Sequence, residues 1–427
     1  MNKETKTVYN NTIMLYILQI SKYIFPLLTF PYLTRVLQPE NYGNITFANA
    51  VMVYFYLFID FGFLQSATRE CSLFRNDKEK LAQIAASTVQ AKMILGLIGT
   101  PIIFSLVLFS EAFNGRETYI VLAYVSVLVG IFNLDYLFRG LEIMKVITYR
   151  TIMGRTIYTI MIFLFIHKPQ HYLLLPVISA FGEIIIIVWT WLYIKRSIGL
   201  KIKIVSLVQT LSAFKTSAIF FLSRIASTAY SATNIVILGL IYDNWLLAQF
   251  GVADALIVNL RSLFGPIADS LYPYMVLNRN YKLVKKILLI LMPVIVTGTV
   301  GLFFLAEPII SIVAGRNYVG ATPIFRAFLP IVIITLPVYL LGFPVLGAMD
   351  RMKDANLSVI FAAFYHTIGL GILYYSGNCT FISVALLTCS TELVVLLFRA
   401  ICVQKGMYDS QELSHQMVEN KLNKQSV

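Results

Sequence analysis

The sequence has little of what common catalytic centres need. Only 13% of its 427 residues are charged, and it contains four cysteines and four histidines. The cysteines lack the paired spacing of metal ligands, and the Walker A, HExxH and GxSxG motifs are absent. His167 and His171 have helical spacing, but Pro169 lies between them. The sequence therefore predicts a protein that is not an enzyme and that binds no metal or organic cofactor.

Apolar residues dominate the composition instead. Hydrophobic residues make up 58% of the chain and its mean hydropathy is +0.76, whereas soluble domains are about 45–50% apolar. A membrane helix needs about 20 mainly apolar residues. The runs of this length cover residues 12–36, 44–64, 82–110, 118–138, 148–167, 172–194, 211–241, 245–275, 285–306, 323–346, 354–376 and 379–403. They predict an all-α polytopic membrane protein with about twelve transmembrane helices.

The net charge of +13 follows the predicted topology. Most of the 34 basic residues lie in or beside alternate connections, for example Arg139 and Lys145 between the fourth and fifth runs, with Arg150 and Arg155 near the start of the fifth. The other connections contain only Arg35, Arg116, Lys168 and Arg316. Because basic residues are retained on the cytoplasmic side, this asymmetry places both termini in the cytoplasm. The charge therefore does not indicate nucleic-acid binding.

The runs divide into two sets of six. A basic loop from Lys195 to Lys203 follows the sixth run. The seventh run resembles the first, since each has one basic residue, Arg224 or Lys22, on a face with small polar residues. Repeats of this kind are common in transporters. We predict two pseudo-symmetric six-helix bundles, at residues 1–204 and 205–405, and a polar cytoplasmic tail at 406–427.

A few charged residues lie inside the apolar runs, and Lys22 is near the middle of the first. A central basic residue costs about 2.5–3.5 kcal/mol on insertion scales, so it normally faces protein or a water-filled path. The other basic residues inside runs, or at their edges, are Lys92, Lys215, Arg224, Arg261 and Arg326. The acidic ones are Asp60, Glu183, Asp254, Asp269 and Glu392. We predict a modestly cationic interior, with Lys92 and Lys215 extending to water at the membrane edge.

Several short motifs occur along the chain in a recognisable order. They are PYLTRVL at 31–37 with ENYG at 40–43, DFGF at 60–63 with ATRE at 67–70, LYP at 271–273 and GAMDRMK at 347–353. In this order they resemble the O-antigen flippases, the Wzx-type polysaccharide exporters of the superfamily that also contains the multidrug and toxin extrusion (MATE) transporters. The resemblance covers residues 8 to 405. It implies a V-shaped pair of six-helix bundles in which helices 1, 2, 7 and 8 line a central cavity.

The resemblance also implies a cargo, an oligosaccharide repeat unit on undecaprenyl pyrophosphate. Such a protein moves this lipid from the cytoplasmic to the outer leaflet of the bacterial inner membrane for O-antigen or related polysaccharide synthesis. Membrane lipid surrounds it, and a polysaccharide polymerase and a chain-length regulator are further candidate partners.

The cargo's pyrophosphate needs fixed positive charge at membrane depth, and Arg and Lys both suit phosphate. We predict that Lys22, Arg224 and Arg261 bind it during alternating access. We also predict that Asp60 or Asp254 carries a coupling proton or Na⁺.

Two other functions stay open. A drug or cation antiporter of the same superfamily would favour an acidic cavity, and the excess of basic residues argues against it. A membrane enzyme that polymerises or ligates the same lipid-linked sugars would use similar basic residues. Such enzymes usually carry a large external loop, whereas the longest predicted external connection here runs only from Glu307 to Thr322. The flippase is therefore the preferred prediction.

Overall fold

The structure is a computed structural model that describes the backbone of residues 3–425. Side chains are described throughout this range except at 3–13, 15, 16, 22, 222, 223, 226–231 and 408–425. All regular elements in the described range are helical, which confirms the predicted all-α fold. The side chain of Lys22, a predicted cargo ligand, lies outside the described residues.

Eight helices form the first part of the chain. They are α1 (Lys3–Asp60), α2 (Phe63–Leu73), α3 (Lys78–Phe109), α4 (Glu117–Val129), α5 (Asp135–Gly140), α6 (Met144–Phe165), α7 (Leu174–Tyr193) and α8 (Leu207–Ile241). Gln38, with φ 63° and ψ 164°, interrupts α1 immediately before Pro39. This break lies between the first two predicted runs. A second break separates α1 from α2, where Phe61 and Gly62 both have positive φ.

Eight more helices follow. They are α9 (Asn244–Ser262), α10 (Gly265–Asn278), α11 (Tyr281–Phe304), α12 (Ala306–Val313), α13 (Thr322–Phe328), α14 (Pro330–Leu340), α15 (Met352–Tyr375) and α16 (Phe381–Gln425). A π-helical segment, Leu341–Gly347, extends α14 and contains Pro344. Proline removes a backbone donor and clashes with the preceding turn, which explains a wider helix here. α16 continues into the predicted tail.

Within the described residues, nine stretches are long and apolar enough to cross a membrane. They are Ile17–Leu73, Lys78–Phe109, Glu117–Gly140, Pro169–Ile198, Asn244–Asn278, Tyr281–Phe304, Pro330–Gly347, Met352–Tyr375 and Phe381–Met407. The first contains two predicted runs, α6 is not among them, and α8 contributes only the shorter apolar helix Ala232–Ile241. Helices nevertheless overlap all twelve predicted runs. The count of twelve crossings and the pseudo-symmetry stay predictions.

Large apolar side chains on several of these helices face outward. Leu97, Leu108 and Phe304 are each more than two thirds exposed. Soluble proteins rarely expose large contiguous apolar surfaces, whereas lipid tails solvate them at no cost. The protein is therefore a multi-pass membrane protein.

The helices form two compact units. The first comprises Met1–Gln249 and Ile312–Tyr318, and the second comprises Phe250–Ser311 and Val319–Val427. The first unit extends beyond the predicted boundary after residue 204 and includes α8. Compactness of the two units does not bear on their internal symmetry. The predicted division at 1–204, 205–405 and 406–427 therefore stays a prediction.

Candidate functional site

A buried carboxylate, Asp60, joins three helices of the first unit. It is the last residue of α1 and only 3% exposed. Lys92 of α3 places its Nζ 3.0 Å from Oδ1, and the guanidinium of Arg224 of α8 pairs with Oδ2. One negative and two positive charges leave this cluster with a net charge of +1. The Arg224 side chain is 24% exposed and the Lys92 side chain 9%, so Arg224 is the more accessible of the two bases.

The turn that follows Asp60 brings α8 alongside it. Gly62 has φ 76°, and a Cβ at this position would lie 2.7 Å from the backbone nitrogen of Phe221. The ring of Phe61 stacks on that of Phe221 with centroids 4.3 Å apart. The hydroxyls of Ser66 and Ser217 are 2.6 Å apart, in hydrogen-bonding contact. A glycine therefore allows α8 to approach closely enough for its next turn to reach Asp60.

The other end of α8 is held by a buried loop residue. Arg116, predicted to lie in an external connection, donates to the carbonyl of Gly239 at 2.9 Å. Its guanidinium lies 4.2 Å from the ring centroid of Phe47, a cation–π contact. Burial lowers the pKa of Arg116 from its usual value, while the charges of Glu40 and Asp243 oppose this shift. This arginine therefore has a structural role.

The prediction that Lys92 extends to water is wrong. The residue is 7% exposed, and its ammonium also lies 5.8 Å from the ring centroid of Tyr136. A buried ammonium is costly unless it is paired, and Asp60 provides the partner. Lys215, for which the same prediction was made, is exposed. The sequence signal that was missed is that Lys92 has apolar residues on both sides.

Arg261 is held by a carboxylate in the second unit. Its Nη2 lies 2.5 Å from Oε1 of Glu392, and its Nε donates to the hydroxyl of Thr335 at 3.1 Å. These residues come from α9, α16 and α14. The side chains of Arg261 and Glu392 are 17% and 5% exposed. Each unit therefore contains an arginine that is paired with a buried carboxylate.

Asp254, predicted as a coupling residue, lies in α9 before Arg261 and is partly buried. Arg261 influences it electrostatically. Among the described residues, none forms an ion pair or hydrogen bond with Asp254. Asp254 is therefore not a direct partner of Arg261 in the way that Glu392 is.

Arg326 has different surroundings from Arg261. Its Nε donates to the carbonyl of Phe303 at 2.9 Å, and its guanidinium lies 5.1 Å from the Phe303 ring centroid. Carbonyl and ring contacts of this kind anchor α13 to α11 within the second unit. Arg326, which contacts a carbonyl and a ring, can therefore be compared with Arg224 and Arg261, which contact carboxylates.

A second polar network lies inside the first unit and was not predicted. Arg150 pairs with Asp135, and its Nη1 donates to Oδ1 of Asn133 at 2.8 Å. The amide of Asn133 in turn donates to Glu183 at 3.2 Å. Arg150 is 3% exposed and lies within α6, so it is a buried helix residue and not part of a solvated connection. Glu183, an acid within the sixth run, was the signal that a buried partner existed.

Three cavities in the first unit share some of their lining residues. A cavity of about 290 Å³ is lined by Asp60, Lys92 and Glu183, among others. A cavity of about 250 Å³ shares Glu183 and adds Arg150, and a third of about 370 Å³ shares Ser179 with both. One buried water molecule occupies about 30 Å³ and needs two to four polar partners, so each cavity has room for several water molecules. The first unit therefore contains cavities large enough for water, with several charged and polar side chains in their walls.

Comparisons with known proteins support a transporter of polysaccharide precursors. A protein of Escherichia coli that is named as a candidate O-antigen transporter is 27% identical over 373 residues, which are 85% of this chain and 89% of that protein. A solved inward-facing multidrug resistance MATE family transporter of the MOP superfamily superimposes with a TM-score of 0.69 at 13% identity, covering 93% and 99% of the two chains. The lipid II flippase MurJ, in an inward closed conformation, gives 0.71 at 16% identity, covering 93% and 87%.

At these identities the two structures show a shared fold and nothing more. The sequence family is established separately. Residues 8–279, more than half of the chain, match the family model described as polysaccharide biosynthesis protein. This match agrees with the resemblance carried by the motifs from Pro31 to Pro273, which lie within it. The chain therefore belongs to the polysaccharide biosynthesis protein family, within the fold shared by MATE transporters and MurJ.

Proposed function

We propose that the protein is a flippase that moves undecaprenyl-pyrophosphate-linked oligosaccharide from the cytoplasmic to the outer leaflet of the bacterial inner membrane. The product would serve O-antigen or related surface polysaccharide synthesis. Family membership and the candidate O-antigen transporter among the relatives support a lipid-linked saccharide as cargo. Those relatives are transporters, in agreement with the prediction that this chain is not an enzyme.

The observation that carries this proposal is the presence of a carboxylate-held arginine in each unit. Arg224 faces Asp60, and Arg261 faces Glu392. An ion pair positions a guanidinium before the cargo arrives, and a phosphate can then replace the carboxylate as acceptor of the same fork. At intermediate dielectric, opposite charges 4 Å apart attract by about 4 kcal/mol. Two or three bases, with Lys22 as the third, would offset much of the desolvation of a pyrophosphate.

In the first unit Asp60 contacts two bases, so Arg224 can exchange the carboxylate for a phosphate at a low cost in free energy. When phosphate takes Arg224, Asp60 still has Lys92 as its partner at 3.0 Å. No buried carboxylate is then left uncompensated, a situation that usually costs several kcal/mol. Lys92 would thus position and neutralise Asp60 while Arg224 engages the cargo.

Ion coupling would act on the same pair. A proton or Na⁺ bound at Asp60 would weaken its attraction for Arg224 and favour phosphate as the partner of Arg224, and loss of that ion would restore the pair. Asp254 is the second candidate for this role. Moving two negative charges outward across an inside-negative potential also contributes about 4.6 kcal/mol per 100 mV.

The proposed setting is the inner membrane, with both termini in the cytoplasm and membrane lipid around the helices. A polysaccharide polymerase and a chain-length regulator would receive the cargo on the outer side.

The test is complementation of a gene deletion in the native host. We expect the deletion to abolish surface polysaccharide and to accumulate undecaprenyl-pyrophosphate oligosaccharide in extracted lipids. Arg224→Ala and Arg261→Ala should each lower export about 10- to 100-fold at equal protein level, because each removes a charge-assisted contact worth about 1.5–3 kcal/mol. Lys22→Ala should also lower export.

Arg326→Ala is the matched control, since it removes an arginine of the second unit that faces a carbonyl and a ring. Its export should stay close to wild type. Normal export by both Arg224→Ala and Arg261→Ala would refute the cationic site. If the deletion strain has unchanged lipid intermediates and increased sensitivity to cationic drugs, the protein is instead an antiporter of the same superfamily.

A further inference from the structure

A large apolar groove lies in the first unit, apart from the polar cavities. Its volume is about 700 Å³, within the range of about 300–1,000 Å³ that is usual for small-molecule sites. Ile187, Val188 and Trp191 of α7 line it, together with Leu200 from the segment that follows. Lys195 and Lys201 also line it, and both are exposed.

The chain reversal after α7 builds this groove. A π-helical turn, Ile194–Ile198, ends at Gly199, which has φ 75° and donates its backbone N–H to Ile194 at 2.8 Å. This left-handed glycine turns residues 200–202 back against the end of α7. The indole N–H of Trp191 donates to the carbonyl of Phe132 at 3.0 Å. That bond fixes the indole in the wall of the groove, at a helix end where tryptophan typically marks the membrane interface.

The charges around the groove are of one sign. Lys78 of α3 comes close as well, since its Nζ lies 3.5 Å from the position of a Cβ on Gly199. None of Lys78, Lys195 and Lys201 is in an ion pair with a carboxylate of the described residues. Lys195 and Lys201 lie in the basic connection from Lys195 to Lys203, which the predicted topology places on the cytoplasmic side. Two lysines that line an apolar groove, with a third near Gly199, complement a ligand with an anionic head and a hydrocarbon tail.

We propose that this groove binds an anionic glycerophospholipid of the surrounding bilayer, with an acyl chain against α7 and the phosphate at Lys195 and Lys201. Basic pockets at the cytoplasmic ends of membrane helices are suited to such head groups. The lysines lie on the exposed surface at the end of α7, whereas the cargo's pyrophosphate is assigned to bases within the membrane. The lipid site is therefore independent of the proposed transport cargo.

The test is native mass spectrometry of the purified full-length protein with added phosphatidylglycerol or phosphatidylcholine. We expect preferential retention of phosphatidylglycerol by the wild type. The double substitution Lys195→Gln and Lys201→Gln should reduce that retention at least about tenfold, because each basic residue near an anionic head group contributes appreciably. Val188→Trp, which fills the groove without changing charge, should reduce it as well.

The matched control is Lys285→Gln with Lys286→Gln, which removes two exposed lysines from a different basic connection. It should retain phosphatidylglycerol like the wild type. A second measurement is the rise in unfolding temperature on adding phosphatidylglycerol, which the groove variants should lose and the control should keep. Equal retention by all variants, or equal retention of both lipids, would overturn the proposal. The proposal would also be overturned if the groove variants lost binding of a polyprenyl phosphate but retained phosphatidylglycerol like the wild type.

Discussion

Asp60 has an unusual set of neighbours for a carboxylate in a membrane protein. Two bases from different helices contact its two oxygens, and the residue is 3% exposed. A buried ion pair adds little net stability, because desolvation of both charges offsets their attraction. Removing one member alone is much more harmful, since it leaves the other charge buried without compensation. The pairing of Asp60 with Lys92 can therefore be tested by comparing single and double substitutions.

Asp60→Asn should destabilise the protein by about 3–5 kcal/mol, because Lys92 at 7% exposure loses the carboxylate that compensates it. Lys92→Met should be milder, since Arg224 still compensates Asp60. The double variant should recover much of the loss caused by Asp60→Asn. Thermal or chemical unfolding in detergent measures all three. Strict additivity of the two single effects would show that the residues do not interact.

The control for this cycle is a carboxylate outside the membrane interior. Asp350 pairs with Arg279 at 2.8 Å, but the two side chains are 83% and 59% exposed. Exposed ion pairs contribute about 0–1 kcal/mol, so Asp350→Asn should change stability by less than about 1 kcal/mol. A loss as large as that of Asp60→Asn would mean that burial is not the cause.

At the scale of the helices, glycines set how closely neighbours approach. Gly43 of α1 packs directly on the start of α9, where an added Cβ would lie 1.8 Å from the carbonyl oxygen of Asn244. Gly154 of α6 packs similarly on Ile186 of α7, where an added Cβ would lie 2.1 Å from Cδ1 of Ile186. Small residues at such crossings are typical of membrane helices, because association there depends on close van der Waals contact.

Gly43→Ala should therefore force a backbone shift and destabilise the first unit by about 1–3 kcal/mol, the usual range for overpacking. Gly298→Ala in α11 is the matched control, because an added Cβ there meets no atom within 4 Å. It should leave stability unchanged or raise it by about 0.5–1 kcal/mol through helix propensity. Unfolding temperatures in one detergent compare the two variants. Equal effects would contradict the close crossing of α1 and α9.

The π-helical segment after α14 illustrates how an element depends on a distant side chain. Arg399 of α16 donates to the carbonyl of Val338 at 2.6 Å and to the hydroxyl of Ser358 at 3.0 Å. A Cβ on Gly342 would lie 2.6 Å from its Nη1. The arginine thus satisfies a carbonyl beside the irregular turn, and the absence of a side chain at 342 leaves space for it.

For the whole molecule, the distribution of basic residues predicts the orientation in the membrane. A green fluorescent protein fused after Val427 should fluoresce, because the C terminus is expected in the cytoplasm. Alkaline phosphatase fused after Lys168 should be active, and the same enzyme fused after Lys203 should be inactive. Activity after Lys203 with none after Lys168 would reverse the assignment. These fusions also test the orientation of the basic connection beside the proposed lipid groove.

The sequence alone determined the class of the protein, the positions of its helices and its family. Hydropathy is a property of consecutive residues, so a run long enough to cross a membrane is visible without knowledge of its neighbours. The candidate bases were visible for the same reason, because an isolated charge stands out in an apolar run. Arg224, Arg261, Asp60 and Asp254 were identified in this way.

Only the tertiary structure decided which charges meet. Asp60 and Arg224 are 164 residues apart in the chain, and Arg261 and Glu392 are 131 apart. No local pattern encodes such a pairing. Lys92 was expected to extend to water and Arg150 to belong to a cytoplasmic connection, yet both are buried against carboxylates of other helices. Burial depends on the helices that pack around a residue, and that packing is a property of the folded chain.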